Sequence, residues 1–251
     1  VYLGGKLLPT AGETIVALRR QGRRVLFLSN NPTHTRAAYS ERLTRLGLPT
    51  PPEDVLTSAV ILVDFLKRTL ADGARLFVIG EAALETTLRE AGYELVDAAE
   101  RTDAVIASFD RTFTYRKLQI GFDALRAGAR FFATNPDKYC PVPGTAAGGR
   151  PAGEPDCAAI IAALEACTDV QCEAVVGKPS AHTIQAALQV AGLPAGECLM
   201  TGDRLETDVL MGLDAGMSAA LTLTGATPLS ALASSSVQPT YVIEGLGDLL
   251  I

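Results

Sequence analysis

Histidine is almost missing from this chain: only His34 and His182 occur in 251 residues. Cysteine is sparse too, with five residues at 140, 157, 167, 172 and 198 and no Cys-x-x-Cys pair. A structural zinc site needs four clustered thiolates or imidazoles, so none is expected. The odd, scattered thiols do not form a disulfide framework and read as the reduced cysteines of a cytoplasmic protein. Basic runs are absent, and 22 Lys and Arg against 28 Asp and Glu give a net charge of -6. No nucleic-acid partner is therefore expected. No uninterrupted apolar stretch approaches the ~18 residues of a membrane span, and no membrane association is expected. The glycines at 144–153 sit in a Pro-rich stretch, not at a strand-to-helix turn, which argues against a dinucleotide-binding oxidoreductase.

What is present is a chain that is 48% hydrophobic with a mean hydropathy of +0.22, enough for a sizeable core. Short apolar runs rich in strand formers alternate with helical patterns closed by glycine. Strands are read at Val25–Leu28, Leu76–Ile79, Val105–Ala107, Arg130–Ala133, Ala174–Val176, Cys198–Met200, Ala219–Leu223 and Tyr241–Ile243. Helical patterns end at Gly22, Gly47, Gly92 and Ala127, and others span Cys157–Cys167 and His182–Ala191. Pro49–Pro52 reads as a loop, and residues 141–155 as an aperiodic Pro/Gly segment. The alternation implies a mostly parallel α/β architecture. So many strands exceed one ordinary sheet, so two α/β units, one inserted in the other, are expected.

Three strand ends carry polar signals: Ser29-Asn30, Gly177-Lys178 and Gly202-Asp203, the last followed by Asp208. In a parallel sheet such ends face one edge, where ligands bind. Taken singly, each has a plain reading. Ser29-Asn30 suits a cap or turn, Lys178 a surface lysine, and Asp203 and Asp208 the first turn of a helix. Gly177-Lys178-Pro179-Ser180 is not a phosphate-cradling P-loop, because Pro179 interrupts Gly-Lys-[Ser/Thr] and Cys172 replaces the leading Gly. Together, a hydroxyl, a lysine and two acids can hold a phosphate with a divalent cation.

The order Ser29-Asn30-Asn31, Gly177-Lys178-Pro179, Gly202-Asp203-Arg204-Leu205-Glu206-Thr207-Asp208 resembles the haloacid dehalogenase (HAD) superfamily. Tyr2-Leu3-Gly4-Gly5, Phe109-Asp110-Arg111-Thr112-Phe113-Thr114-Tyr115 and Ala133-Thr134-Asn135-Pro136-Asp137 narrow it to the NagD / p-nitrophenyl phosphatase-like subfamily. The resemblance implies a Rossmann-like parallel-sheet core, residues 1–69 and 172–251, with an α/β cap domain inserted at 70–171. It implies a magnesium-dependent phosphomonoester hydrolase in which an Asp forms an aspartyl-phosphate and a second Asp, two residues on, is acid and base. Ser29 and Asn30 would hold the phosphoryl group. Lys178 would neutralise charge on nucleophile and phosphate. Asp203 would bind Mg2+, and Asp208 would support the metal shell or Lys178. Thr134, Asn135 and Asp137 would face the leaving group, although a strand-end turn explains them equally. The implied partner is a small phosphorylated metabolite, and relatives include homodimers.

One part of that pattern does not occur in the 251 residues: Asp-x-Asp-Gly, which in the family precedes Tyr-x-Gly. Val1-Tyr2-Leu3 reads as the tail of a strand. The expectation is a truncated chain without the nucleophile and without turnover as written; the alternative is a non-catalytic phosphate-binding or regulatory protein. Truncation is favoured, because losing half of a central strand would leave ladder groups unpaired.

Overall fold

The computed structural model describes residues 1–3, 5–145 and 151–250; Gly4 of the Tyr2–Gly5 motif and part of the 144–153 glycine segment lie outside the described residues. The described chain is α/β with parallel sheets. Contacts divide it into two units. The first comprises Val1–Leu28, Ala37–Leu56 and Lys178–Ile251, the second Ser29–Arg36 and Thr57–Gly177. The expected division, 70–171 against the rest, left Ser58–Thr69 and Ala174–Val175 in the core. By contacts both elements lie in the second unit.

In the first unit, Leu199–Gly202, Ser218–Thr222 and Tyr241–Ile243 form a parallel three-stranded sheet in that order. Phe27–Ser29 and Val55–Thr57 form a separate pair, and Tyr2–Leu3 pairs antiparallel with Lys6–Leu7. Among the described residues, Leu199–Gly202 has a strand neighbour on one side only. Leu199 is 44% exposed, as suits an uncovered edge. Helix Ala11–Arg20 packs Ile15 against Tyr39, Leu43 and Val55, while Leu205, Val209, Ala219 and Leu221 form a second cluster under the three-stranded sheet.

The second unit is built on five parallel strands in the spatial order Ala174–Val175, Arg130–Ala133, Ala104–Ala107, Arg75–Ile79, Glu94–Leu95. Numbered along the chain within the unit, the order is 2-1-3-4-5. The strands are apolar on both faces, as a sheet covered by helices requires: Phe77, Val105 and Phe131 are buried with Leu164 of helix Cys157–Thr168 on one face, and Phe132 meets Phe65 on the other. Asp156 starts that helix by accepting the Cys157 amide at 2.6 Å.

Helix Ser58–Thr69 and strand Val55–Thr57, absent from the sequence reading, are present. The aperiodic 141–155 segment is in fact an antiparallel ribbon, Tyr139–Thr145 against Pro151–Pro155. A two-stranded ribbon has an unpaired side on each strand, so it accommodates prolines that a central strand would not. No helix of the described residues is long and apolar enough to cross a membrane.

Candidate active site

The strand Leu199–Gly202 carries Asp203 at its carboxyl end. The chain then makes a π-turn, Leu205–Val209, before continuing as helix Leu210–Asp214. The expectation of a regular helix is corrected here: the amides of Asp208 and Val209 both donate to the Arg204 carbonyl, at 3.0 and 3.2 Å. One extra residue per turn brings the Asp208 side chain back over the strand end. Its Oδ2 accepts from the Arg204 amide at 3.3 Å, and its Oδ1 accepts from Lys178 Nζ at 2.6 Å. The fit is close: a Cβ at Gly202 would lie 2.3 Å from Asp208 Cβ, Cγ and Oδ2.

Lys178 is no surface lysine. Its side chain is 14% exposed and that of Asp208 6%. Nζ also donates to the Leu28 carbonyl at 3.4 Å, at the residue before Ser29. A pair this buried contributes little net stability, because desolvation offsets the attraction. What it provides is a fixed cation.

Asp203 is held from a third segment. The Ala226 amide donates to its Oδ2 at 2.7 Å and the Thr227 amide to its carbonyl at 3.1 Å. A Cβ at Gly225 would stand 2.2 Å from Oδ2. Gly225–Thr227 went unread in the sequence, although Thr224-Gly225 after a strand is a turn signal. Asp203 Oδ1 has no hydrogen-bond partner among the described residues. The Val1 amine lies within the field of both Asp203 and Asp208: burial lowers its pKa and the two carboxylates raise it. The start of the chain and the two acids therefore share one neighbourhood.

These donors fit a hard cation. Mg2+ takes one or two carboxylates and keeps several waters, and Asp203 offers a free oxygen where Asp208 is engaged twice. No group of three His, Cys, Asp or Glu able to hold a metal occurs among the described residues, so the pair is a partial ligand set. Asp208 stands as partner of Lys178, the second of the two roles considered for it.

In the second unit Ser29 and Asn30 form a braced turn. Ser29 Oγ accepts the Asn31 amide at 3.2 Å, and the Asn30 carbonyl accepts from Ser58 Oγ at 2.7 Å and Asn135 Nδ2 at 3.1 Å. Asn135 Oδ1 takes the Asp137 amide at 3.0 Å, and Thr134 Oγ1 donates to Ser108 Oγ at 2.9 Å. Ser58, Ser108, Thr134 and Asn135 are all fully buried. Thr134 and Asn135 thus sit behind the Asn30 turn as bracing groups, while Asp137 is half-buried. Gly177 completes the packing: its Cβ would meet Thr134 O at 2.6 Å and Asn30 Oδ1 at 2.8 Å. Ser58 carried no motif that would have singled it out, whereas Gly177 was read only as the residue ahead of Lys178. Asn135→Ala removes a donor from the Asn30 carbonyl, and unfolding in urea is expected to show a loss of ~1–3 kcal/mol. A loss below ~0.5 kcal/mol, the range of neutral surface changes, would mean that the brace is slack.

The profile described as "Haloacid dehalogenase-like hydrolase" matches residues 1–94, and that described as "HAD-hyrolase-like" matches 175–249. Sugar-phosphatase AraL of Bacillus subtilis is 34% identical over 248 residues, 99% of this chain and 88% of AraL. The 4-nitrophenylphosphatase of Thermotoga maritima superposes with a TM-score of 0.90 at 31% identity, covering 99% of this chain and 91% of that one. Glycerol phosphate phosphatase Rv1692 of Mycobacterium tuberculosis, solved in complex with magnesium, superposes with a TM-score of 0.87 at 29% identity, covering 99% and 73%. With the strand-end lysine and acids arranged as described, the chain belongs to the haloacid dehalogenase-like hydrolase family, in its NagD / p-nitrophenyl phosphatase-like subfamily.

Proposed function

We propose that this chain is the body of a phosphomonoester hydrolase acting on a small phosphorylated metabolite. The observation that carries the reading is the buried Lys178–Asp208 pair beside Asp203 at the carboxyl end of a parallel strand. Lys178 holds a positive charge, fixed before substrate arrives, where phosphoryl oxygens gather charge; positioning and preorganised charge supply almost all of the catalysis in phosphoryl transfer. Ser29 and the Asn30 turn donate hydrogen bonds to the phosphoryl group. Asp203 is the Mg2+ ligand and Asp208 orients Lys178; the magnesium bound in the Rv1692 structure supports this choice of cation. When bound, Mg2+ would offset repulsion between carboxylate and phosphate.

The nucleophile is proposed to be the first Asp of an Asp-x-Asp-Gly segment, which none of the 251 residues forms. Its oxygen attacks phosphorus as the P–O bond to the leaving group breaks, and the second Asp protonates that oxygen. Water then attacks the aspartyl-phosphate, releasing phosphate and restoring the carboxylate. Substrate choice is assigned to the second unit as cap, with Asp137 as contact residue. Sugar and glycerol phosphatases among the relatives favour a hydroxylated phosphate. A cytoplasmic location fits the five free thiols, the pKa of the Cys157 thiol being pushed up to about 12 by burial. A homodimer, checked by sedimentation, belongs to the same reading.

The 251 residues alone are expected to release no phosphate from p-nitrophenyl phosphate with Mg2+. Extending the chain ahead of Val1 by a strand carrying Asp-x-Asp-Gly is expected to produce magnesium-dependent turnover. Turnover by the 251 residues would overturn the nucleophile assignment. A folded, extended protein inert on a panel of phosphomonoesters would overturn the hydrolase reading in favour of a phosphate-binding module.

A further inference from the structure

The motif Phe109–Tyr115 has no part in the chemistry above, yet it occupies a special place in the second unit. In the order 2-1-3-4-5, the chain leaves the first strand, Arg75–Ile79, toward one side of the sheet, and leaves the adjacent third strand, Ala104–Ala107, toward the other. Open parallel sheets bind ligands in the crevice outside the carboxyl ends of two such strands. A cleft of about 410 Å³ lies there, lined by Gly80, Glu81, Ala82, Glu85, Arg111, Thr112 and Lys117, within the size range of small-molecule sites. Topology and cavity are independent observations, and they fall on the same spot.

The cleft is built, not incidental. Asp110, its side chain fully buried, holds Lys117 Nζ and accepts from Thr112 Oγ1 at 2.6 Å, and Lys117 donates to Thr112 Oγ1 at 2.9 Å. The Arg111 guanidinium lies 5.4 Å from the Phe109 ring centre and forks onto Glu81 at 2.7 and 2.8 Å. That fork spans the crevice from one strand end to the other. It also keeps Glu81, at the N-cap of helix Ala82–Glu90, from capping the first-turn amides. The Leu84 amide donates to the Glu81 carbonyl at 3.0 Å, and those of Ala82 and Ala83 precede the first intrahelical bond. Arg111 holds the Glu81 carboxyl below the usual carboxylate range, so the crevice presents ionised acceptors as well as cations. Two cations, each already oriented by a carboxylate, and the Ala82 and Ala83 amides suit a phosphate, and the carboxylates with Thr112 suit hydroxyl groups.

We propose that this switch-point crevice is a second small-molecule site, which takes a hydroxylated phosphate monoester, with the phosphate at Arg111, Lys117 and the first turn of the 82–90 helix and the hydroxyls at Glu81 and Glu85. The assignment does not depend on hydrolysis by the first unit.

The test is an amide NMR titration of the whole chain with ribose 5-phosphate, with ribose and inorganic phosphate as separate arms. Saturable shifts at Gly80, Glu81, Ala82 and Thr112 are expected below ~10 mM, an affinity of a few kcal/mol. Ala82→Glu puts a carboxylate in the cleft at an exposed helix start where an acid is favourable, and Arg111→Gln removes the fork. Each is expected to weaken these shifts at least tenfold, while shifts at Asp203 and Lys178 persist. Flat cleft amides, equal saturation by ribose or by inorganic phosphate alone, or a wild-type response from Ala82→Glu would each overturn the proposal.

Discussion

Lys178→Met, in a chain extended to carry the nucleophile, is expected to lower kcat by about 10³-fold or more, since a preorganised charge at the transferred phosphoryl group is lost. The same substitution should cost stability. Among the described residues it leaves the Asp208 carboxylate, 6% exposed, with the Arg204 amide as its hydrogen-bond donor. Breaking a buried pair by removing one partner costs ~3–5 kcal/mol, because the remaining charge is uncompensated. Adding Asp208→Asn removes that charge. The double variant should therefore regain much of the stability and none of the activity, and the two effects separate in a double-mutant cycle read by urea unfolding and by kcat. A Lys178→Met protein that keeps kcat within tenfold would dismiss the role given to this lysine.

Gly202→Ala should be nearly as damaging, although it adds one methyl group. The new Cβ would stand 2.3 Å from three atoms of Asp208, and that side chain cannot swing away without releasing Lys178 and the Arg204 amide. Overpacking costs ~1–3 kcal/mol, and disturbance of the ion pair adds to it. Gly196→Ala is the matched control: its Cβ would meet nothing within 4 Å, so its unfolding midpoint should stay at the wild-type value. If both variants unfold alike, Asp208 is more loosely held than the close approach at Gly202 implies.

The sequence disclosed this site unevenly, for physical reasons. Helix ends at Gly22, Gly47 and Gly92 were legible because the backbone there has positive φ, which glycine tolerates. Arg130–Ala133 was legible because both of its faces are covered and Phe131, Phe132 and Ala133 form an apolar run. Glu94–Leu95 and Val55–Thr57 are too short to carry a period. Lys178, Asp203 and Asp208 could be named from their places at strand ends, but the family resemblance left Asp208 between two roles. Its partner became evident only with the Lys178 contact in three dimensions. Thr134 and Asn135 show the opposite limit. A Thr-Asn pair reads the same whether its side chains face a ligand or brace a turn, and the bracing contact of Asn135 with the Asn30 carbonyl is visible only in three dimensions.

The π-turn at Leu205–Val209 makes the position of Asp208 a matter of residue count as much as residue type. Removing Thr207 would let this stretch close as an ordinary α-helix, and the acid would move one position along it, a rotation of about 100°. Substitutions at the exposed Glu206 leave the count untouched. A one-residue deletion beside it would keep both acids and aim the carboxylate away from the lysine. Relatives that share Gly202, Asp203 and Asp208 but differ in the length between them should therefore be read as having lost this pairing, however well their residues align.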